Sequence, residues 1–171
     1  MTDNPSQQPT AGRPNEPRGG SIIADRYQVD RLIARGGMAA VYLAQHIQLN
    51  RAIALKILSP PPDAEDPSSF EERFRLEAET LAQLDHPNIV TLHDYGETEA
   101  GDPFLVMELV PGPTVSAWFR GAPRSLDELL DAADGMLAGL AAAHARDVLH
   151  RDLKPANMLL RDGVPGQLVL V

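Results

Sequence analysis

The spacing of apolar residues changes along this chain, and that change limits its fold more than any other feature. Up to Leu58, short apolar runs alternate with polar turns, a pattern typical of antiparallel strands. From Ser125 to about residue 145, apolar residues recur at helical spacing, and Ser125 with Glu128 forms a capping-box pair at the start. A strand-rich first part followed by a helical second part predicts an α+β fold.

The same patterns predict the order of the elements. Strands are predicted at 27–33, 41–44, 52–58, 89–95 and 104–109, helices at 68–84, after 114 and at 125–145, and a terminal hairpin at 158–171. The last helix carries an apolar stripe of Leu126, Leu130, Ala133, Leu137 and Leu140. Residues 1–21 are rich in proline and polar residues, which predicts a disordered tail before the folded part.

Composition excludes several classes of protein. The chain has 24 acidic and 15 basic residues, a net charge of −9, so we expect no nucleic-acid partner. It has no cysteine, which excludes disulfides and thiolate chemistry. The sequence lacks both a membrane-length apolar run and a signal-peptide pattern. These features predict a cytoplasmic segment without membrane contact, and they leave open whether a longer protein is membrane-anchored.

Lys56 and Glu77 are charged residues that the sequence places among apolar ones. Of the 15 basic residues only Lys56 and Lys154 are lysine, and Lys56 lies within an apolar strand on the face of Ala54. Glu77 falls in the middle of the apolar stripe of the first predicted helix. A buried carboxylate is costly unless a cation meets it, so Lys56 and Glu77 are predicted to pair if the helix packs on the sheet. The alternative is that Glu77 extends to solvent at the edge of the helix.

Two loops carry further candidate residues. Residues 34–41 contain Gly36 and Gly37 between two strands, where glycines allow backbone N–H groups to approach phosphate oxygens, although such a pair also suits an ordinary turn. Residues 150–157 read His-Arg-Asp-Leu-Lys-Pro-Ala-Asn and match the catalytic-loop pattern H-R-D-L-x-x-x-N at every fixed position.

Together these motifs resemble those of the protein kinases, and among them the bacterial eukaryotic-like Ser/Thr kinases. The resemblance covers residues 27–171 and adds Ala-Leu-Lys at 54–56, His-Pro-Asn-Ile-Val at 86–90 and Leu-Val-Met-Glu at 105–108. It implies a kinase-like fold with a β-rich N-lobe and hinge at 22–110, built around one main helix, and the first part of a helical C-lobe at 111–171. It also implies transfer of the γ-phosphoryl group of ATP to a Ser or Thr hydroxyl of a protein substrate, with Mg²⁺.

The resemblance also assigns roles to individual residues. Asp152 would accept the hydroxyl proton or orient the hydroxyl, Lys154 would neutralise phosphate charge, Lys56 and Glu77 would position the phosphates, and Asn157 would bind magnesium. The nucleotide site would comprise Ile33, Ala34, Gly36, Gly37, Met38, Val41, Ala54, Lys56, Met107, Glu108, Val110, Asn157 and Leu159. Within this set, the backbones of Glu108 and Val110 would bind adenine. His86 and His150 would be structural.

The chain departs from the family pattern in two respects. Ala34 and Ala39 replace the first and third glycines of the phosphate loop. The 171 residues contain no Asp-Phe-Gly, whose aspartate would be a further magnesium ligand. We therefore expect this chain alone to be inactive and the stripe on the 125–145 helix to lack packing partners. The alternative function is a non-catalytic, pseudokinase-like module that binds a nucleotide or a protein; a small-molecule phosphotransferase is disfavoured by the complete 150–157 motif.

Overall fold

The structure is a computed structural model that describes residues 16–36, 39–58 and 67–171, apart from the side chains of 67–71, 73 and 77. The strands are β1 Ile22–Ile23, β2 Tyr27–Arg35, β3 Ala39–His46, β4 Arg51–Leu58, β5 Leu92–Glu97, β6 Pro103–Glu108, β7 Met158–Leu160 and β8 Leu168–Leu170. The α-helices are α1 Pro67–Leu81, α2 Val115–Gly121 and α3 Leu126–His144. The expected fold class is confirmed: antiparallel sheet comes first and helices dominate the second part.

Six strands form one antiparallel sheet in the order β1-β2-β3-β4-β6-β5. Because side chains alternate between the two faces of a strand, each face has its own composition. One face is a hydrophobic core made of Tyr27, Val29, Tyr42, Ala44, Ile53, Leu55, Ile57, Phe104 and Val106. We refer to strands β1–β6 with α1, residues 22–108, as the sheet region.

The opposite face of the sheet, here called the lysine face, carries Lys56. Its members follow from the strand register, in which Lys56 lies opposite Val41 on β3 and Leu105 on β6. Leu105 in turn pairs with Tyr95 on β5, and the Tyr95 hydroxyl lies 3.3 Å from a carboxylate oxygen of Glu79 on α1. Helix α1 contacts β5 and β6, so it packs on the lysine face, which was the condition set for a Lys56–Glu77 pair.

The second part of the chain is built around the β7–β8 hairpin, against which α3 packs. Helix α3 begins with the predicted capping box, in which the Ser125 hydroxyl accepts from the Glu128 N–H and the Glu128 carboxylate accepts from the Ser125 N–H. The buried positions of α3 are small residues, namely Ala132, Gly135, Gly139 and Ala143. We refer to residues 114–171 as the helical region.

The leucines of the predicted stripe lie elsewhere on α3. Leu126, Leu130 and Leu137 are exposed, whereas Leu140 is half-buried beside the hairpin core. The small-residue face packs because Gly139 and Gly135 let the helix approach Asn88 and Leu168 closely. Apolar spacing therefore located this helix but not the face that it buries.

A loop before β5 joins the two regions. The Asn88 side-chain amide donates to the Leu168 carbonyl at 2.6 Å, and the Asn88 carbonyl accepts from the Leu170 N–H at 2.9 Å. Ile89 pairs with Leu170 in an isolated parallel bridge, so β5 begins at Leu92 and not at Ile89 as predicted. His86 Nδ1 accepts from the Asn88 N–H at 3.1 Å, a structural contact of the kind expected.

The remaining elements lie close to their predicted positions, with α2 capped by Thr114. The predicted capping box at Ser68 and most of the predicted tail, residues 1–15, lie outside the described residues. Within the described part of the chain, no helix is both long and apolar enough to cross a bilayer.

Candidate functional site

Four of the predicted site residues lie together on the lysine face. Val41 is directly opposite Lys56, and Ala54, two residues before Lys56, is directly opposite Met107. This placement follows from the period of two in β4, which puts Ile53, Leu55 and Ile57 into the core on the other face. These four positions therefore form an apolar patch that carries one ammonium group.

The predicted Lys56–Glu77 pair remains a prediction, because the Glu77 side chain lies outside the described residues. Glu77 itself belongs to α1, one residue before Ala78, which is buried. Among the described side chains, none forms an ion pair with Lys56.

The glycine-containing loop between β2 and β3 is described only in part. The Gly36 N–H donates to the Ala39 carbonyl at 2.8 Å, whereas Gly37 and Met38 lie outside the described residues. Ile33 and Ala34 occupy the exposed end of β2, and Ala34 pairs with Val41. The loop thus begins beside the lysine face.

The 150–157 loop brings three predicted site residues together, because Lys154 and Asn157 both bind the Asp152 carboxylate. Lys154 Nζ lies 2.7 Å from Asp152 Oδ2 and 3.0 Å from Oδ1. The Asn157 side-chain amide donates to Asp152 Oδ2 at 2.8 Å and to the Asp152 carbonyl at 2.9 Å. Asp152 is exposed, so this carboxylate is held in place by charge-assisted bonds and still reaches solvent.

Local sequence explains the shape of this loop. Arg151 adopts a positive φ of 58°, and the Asp152 N–H donates back to the His150 carbonyl at 2.7 Å. Pro155 then starts a 3₁₀ turn over Pro155–Asn157, a position that suits its fixed φ and missing N–H. The Asn157 carbonyl accepts from the Val171 N–H at 3.1 Å, which ties the end of the loop to the chain after β8.

The hydrogen bonds set the protonation state of Asp152. Donation from Lys154, then from Asn157, lowers the pKa of the Asp152 carboxyl below its ordinary value. The carboxylate is ionised at neutral pH and is a weak proton acceptor in this resting geometry. It can orient a hydroxyl by accepting a hydrogen bond from it.

The side-chain oxygen of Asn157 is a candidate ligand for magnesium. Its amide nitrogen is used in both bonds to Asp152, so its side-chain oxygen is directed elsewhere and can act as a ligand. Oxygen ligands suit Mg²⁺, which in phosphate-transfer sites is commonly held by one or two side chains together with substrate phosphates. Asn157 therefore fits the role of one magnesium ligand that is completed by phosphate oxygens.

Residues 109–113, here called the connecting segment, link the sheet region to the helical region and contain a backbone donor without a partner among the described residues. Val110 is 7% exposed, yet its backbone N–H makes no hydrogen bond within the described part of the chain. Leaving a buried donor unpaired costs about 1–3 kcal/mol, so such a group is suited to a ligand acceptor. Leu159, on the hairpin, pairs with Thr114 a few residues further along this segment.

Sequence reasoning missed an ion pair between the regions. The Arg161 guanidinium donates to the Glu108 carboxylate across 53 positions of sequence. No local pattern marks Arg161, because its partner is fixed only by the backbone bonds that tie Leu160 and Asp162 to residues 111–113. Separately, His150 Nδ1 is a buried atom without a hydrogen-bond partner among the described residues.

Comparisons with known proteins agree with the fold. A family described as "Protein kinase domain" matches residues 27–169. The chain is 42% identical to the serine/threonine-protein kinase PrkC of Bacillus subtilis over 82% of this chain and 22% of PrkC, and 42% identical to PknA of Mycobacterium tuberculosis over 84% of this chain and 34% of PknA. The crystal structure of the Mycobacterium tuberculosis PknI kinase domain superposes with a TM-score of 0.74 at 34% identity, covering 91% of this chain and 61% of that domain. The matched part of the chain thus spans about a fifth of PrkC and about a third of PknA.

Proposed function

Because the chain belongs to the protein kinase family, of the bacterial Ser/Thr type, we propose that it forms the ATP-binding and hydroxyl-orienting part of a Ser/Thr protein kinase. The reaction is transfer of the ATP γ-phosphoryl group to a Ser or Thr hydroxyl of a protein. The observation that carries the proposal is the Asp152 carboxylate, which is held by Lys154 and Asn157 and remains open to solvent.

In this proposal the adenine lies against the connecting segment. The unpaired Val110 N–H donates to a ring nitrogen of adenine, and the backbone carbonyl of Glu108 accepts from its amino group. Val41 and Ala54 on one side and Leu159 on the other supply the apolar surfaces that cover the ring. Binding of this type is specific because a purine with the opposite donor and acceptor pattern leaves these groups unpaired.

The triphosphate then extends toward the two lysines. Lys56, positioned by Glu77, binds phosphate oxygens from the lysine face, and the glycine-containing loop with Ala34, Gly36, Gly37 and Met38 covers them. Mg²⁺ neutralises phosphate charge when it is bound, and Asn157 is one of its ligands.

At the acceptor end, Asp152 receives a hydrogen bond from the substrate hydroxyl and holds its oxygen toward the γ-phosphorus. Its lowered pKa favours orientation over early removal of the proton. Lys154, already beside Asp152, stabilises the charge that develops on the transferred group.

We further propose that the chain on its own transfers no phosphate at a measurable rate. Phosphoryl transfer depends on positioning and charge neutralisation, and the family's second magnesium ligand, in Asp-Phe-Gly, is absent from the 171 residues. Incubation with radiolabelled ATP and a serine-containing peptide should leave the peptide unlabelled. Labelling that Asp152→Asn abolishes, while the exposed helix variant Asp131→Asn preserves it, would show that the chain is active alone.

Nucleotide binding tests the site directly. Isothermal titration should give binding of ATP that is about tenfold to a hundredfold tighter than binding of inosine triphosphate, because the inosine ring reverses both hydrogen bonds to the connecting segment. The two nucleotides carry the same phosphates, so the comparison isolates the base. Equal affinities, or no binding of either nucleotide, would contradict the proposed site.

A further inference from the structure

The Glu108 carboxylate lies on the side of the sheet away from the proposed nucleotide site. Glu108 is the last residue of β6 and is directly opposite Ile53, a member of the hydrophobic core face. Ala54 and Met107, its neighbours in the register, belong to the lysine face. The side chain of Glu108 is therefore free to bind a protein group while its backbone belongs to the connecting segment.

Arg161 reaches this carboxylate from the helical region. It follows β7 directly and starts the 3₁₀ turn Arg161–Gly163, in which Asp162 has a positive φ of 54°. The side chains of Arg161 and Glu108 are only 28% and 20% exposed, so the pair is less screened than an ordinary surface ion pair. The bond from Arg161 is the main cause that lowers the pKa of Glu108.

The backbone around Arg161 is fastened to the same segment. The Leu160 N–H donates to the Pro113 carbonyl at 3.0 Å, and the Asp162 N–H donates to the Pro111 carbonyl at 2.7 Å. Gly112, with a φ of 131°, lies so close that a Cβ there would be 2.0 Å from the Leu160 carbonyl oxygen. These bonds fix residues 111–113, and the Arg161–Glu108 pair extends the attachment to the other side of Val110.

We propose that Arg161 is a positioning residue for nucleotide binding: its ion pair holds the Glu108 end of the segment around Val110, while the backbone bonds to Pro111 and Pro113 hold the other end, so that the Val110 N–H keeps the direction that a purine requires. This inference rests on the proposed function, and it adds a residue that makes no contact with the nucleotide. Val110 is bracketed by the ion pair at Glu108 and by the backbone bonds at Pro111 and Pro113. Loss of the pair frees one end only, which should alter base recognition without unfolding the chain.

The test compares Arg161→Gln with Arg120→Gln, an exposed arginine on α2 that bonds only Ser116 among the described residues. Arg161→Gln should lower the ratio of ATP to inosine triphosphate affinity by about fivefold, because the binding-competent state is populated less. A variant that only lost folded protein would bind both nucleotides less tightly by the same factor, so the ratio of the two affinities would not change. Arg120→Gln should match the wild type.

Hydrogen exchange supplies a readout that needs no nucleotide. In Arg161→Gln, amides of peptides that cover 104–112 should exchange faster, while those of β3 stay protected. In a Glu108→Gln background, Arg161→Gln should have little additional effect on the affinity ratio or on the exchange of these amides, since the ion pair is already broken.

The outcomes separate the two proposals. If the wild type prefers ATP and Arg161→Gln changes neither the ratio nor the exchange, or changes the exchange alone, the positioning role is wrong. If the wild type binds both nucleotides equally, the proposed function fails and the nucleotide-positioning role fails with it. In that case the exchange result still decides whether Arg161 holds the connecting segment.

Discussion

The sheet region and the helical region bury their apolar residues in different ways. In the sheet region the largest side chains, such as Tyr27 and Phe104, are almost completely removed from solvent. In the helical region the small residues of α3 form the packed face, whereas Leu126, Leu130 and Leu137 lie at the surface. The difference shows that one face of α3 is stabilised by contacts within the described chain, and that its leucine face adds little to them.

Two leucine substitutions, one in each region, test this difference with the largest expected effect on stability. Leu55→Ala in the core of the sheet region should lower the free energy of unfolding by about 2–5 kcal/mol. Leu55 is 0% exposed, so its truncation to alanine leaves a cavity. Leu137→Ala, at 57% exposed, should change it by less than about 0.5 kcal/mol. Urea unfolding followed by circular dichroism measures both. A large loss in Leu137→Ala would mean that the leucine face is packed in solution.

The small-residue face of α3 gives a second, smaller effect. A Cβ at Gly139 would lie 2.8 Å from the Asn88 carbonyl oxygen, so Gly139→Ala should push α3 away from the loop that joins the regions. We expect a loss of about 1–3 kcal/mol in the free energy of unfolding. Gly166→Ala is the matched control, since a Cβ there meets only Asp131 at 3.9 Å. If the two variants have the same free energy of unfolding, close packing at Gly139 does not hold α3 in place.

The smallest effect concerns the ion pair between the regions. Glu108 has a lowered pKa, caused first by the bond from Arg161 and opposed by burial, with Thr91 and His93 also contributing. Its contribution to stability is therefore present above the ordinary pKa of about 4.5 and is lost as pH falls through the lowered value. Glu108→Gln should flatten that part of the stability–pH curve by less than about 1 kcal/mol. Glu97→Gln, an exposed substitution on β5, is the control and should leave the stability–pH curve unaltered. If Glu108→Gln also leaves the curve unaltered, the ion pair does not stabilise the fold.

Local patterns predicted most of the fold. Period-two alternation in β4 placed Lys56 on the face of Ala54, and the structure shows that the other face is the core. The Ser125–Glu128 capping box located the start of α3. Both signals depend on neighbours in sequence, which is why they can be read without a structure.

What the patterns missed depends on distant partners. The buried face of α3 is set by its contacts with Asn88 and Leu168, and the bridge from Ile89 to Leu170 delays the start of β5. Arg161 meets Glu108 only because the residues on either side of Arg161 bond to the backbone of residues 111–113. The 150–157 motif was clear in sequence, but the bonds from Lys154 and Asn157 to one carboxylate depend on the three-dimensional shape of the loop.

In the proposed site, the lysine face and the 150–157 loop bind one triphosphate. The chain's only two lysines, Lys56 and Lys154, lie one in each place, so an ATP derivative with an amine-reactive acyl phosphate can report on both. Mass spectrometry should find both lysines acylated, and an excess of ATP should suppress both reactions while the N-terminal amine reacts as before. Acylation of either lysine that ATP leaves unchanged would contradict the account.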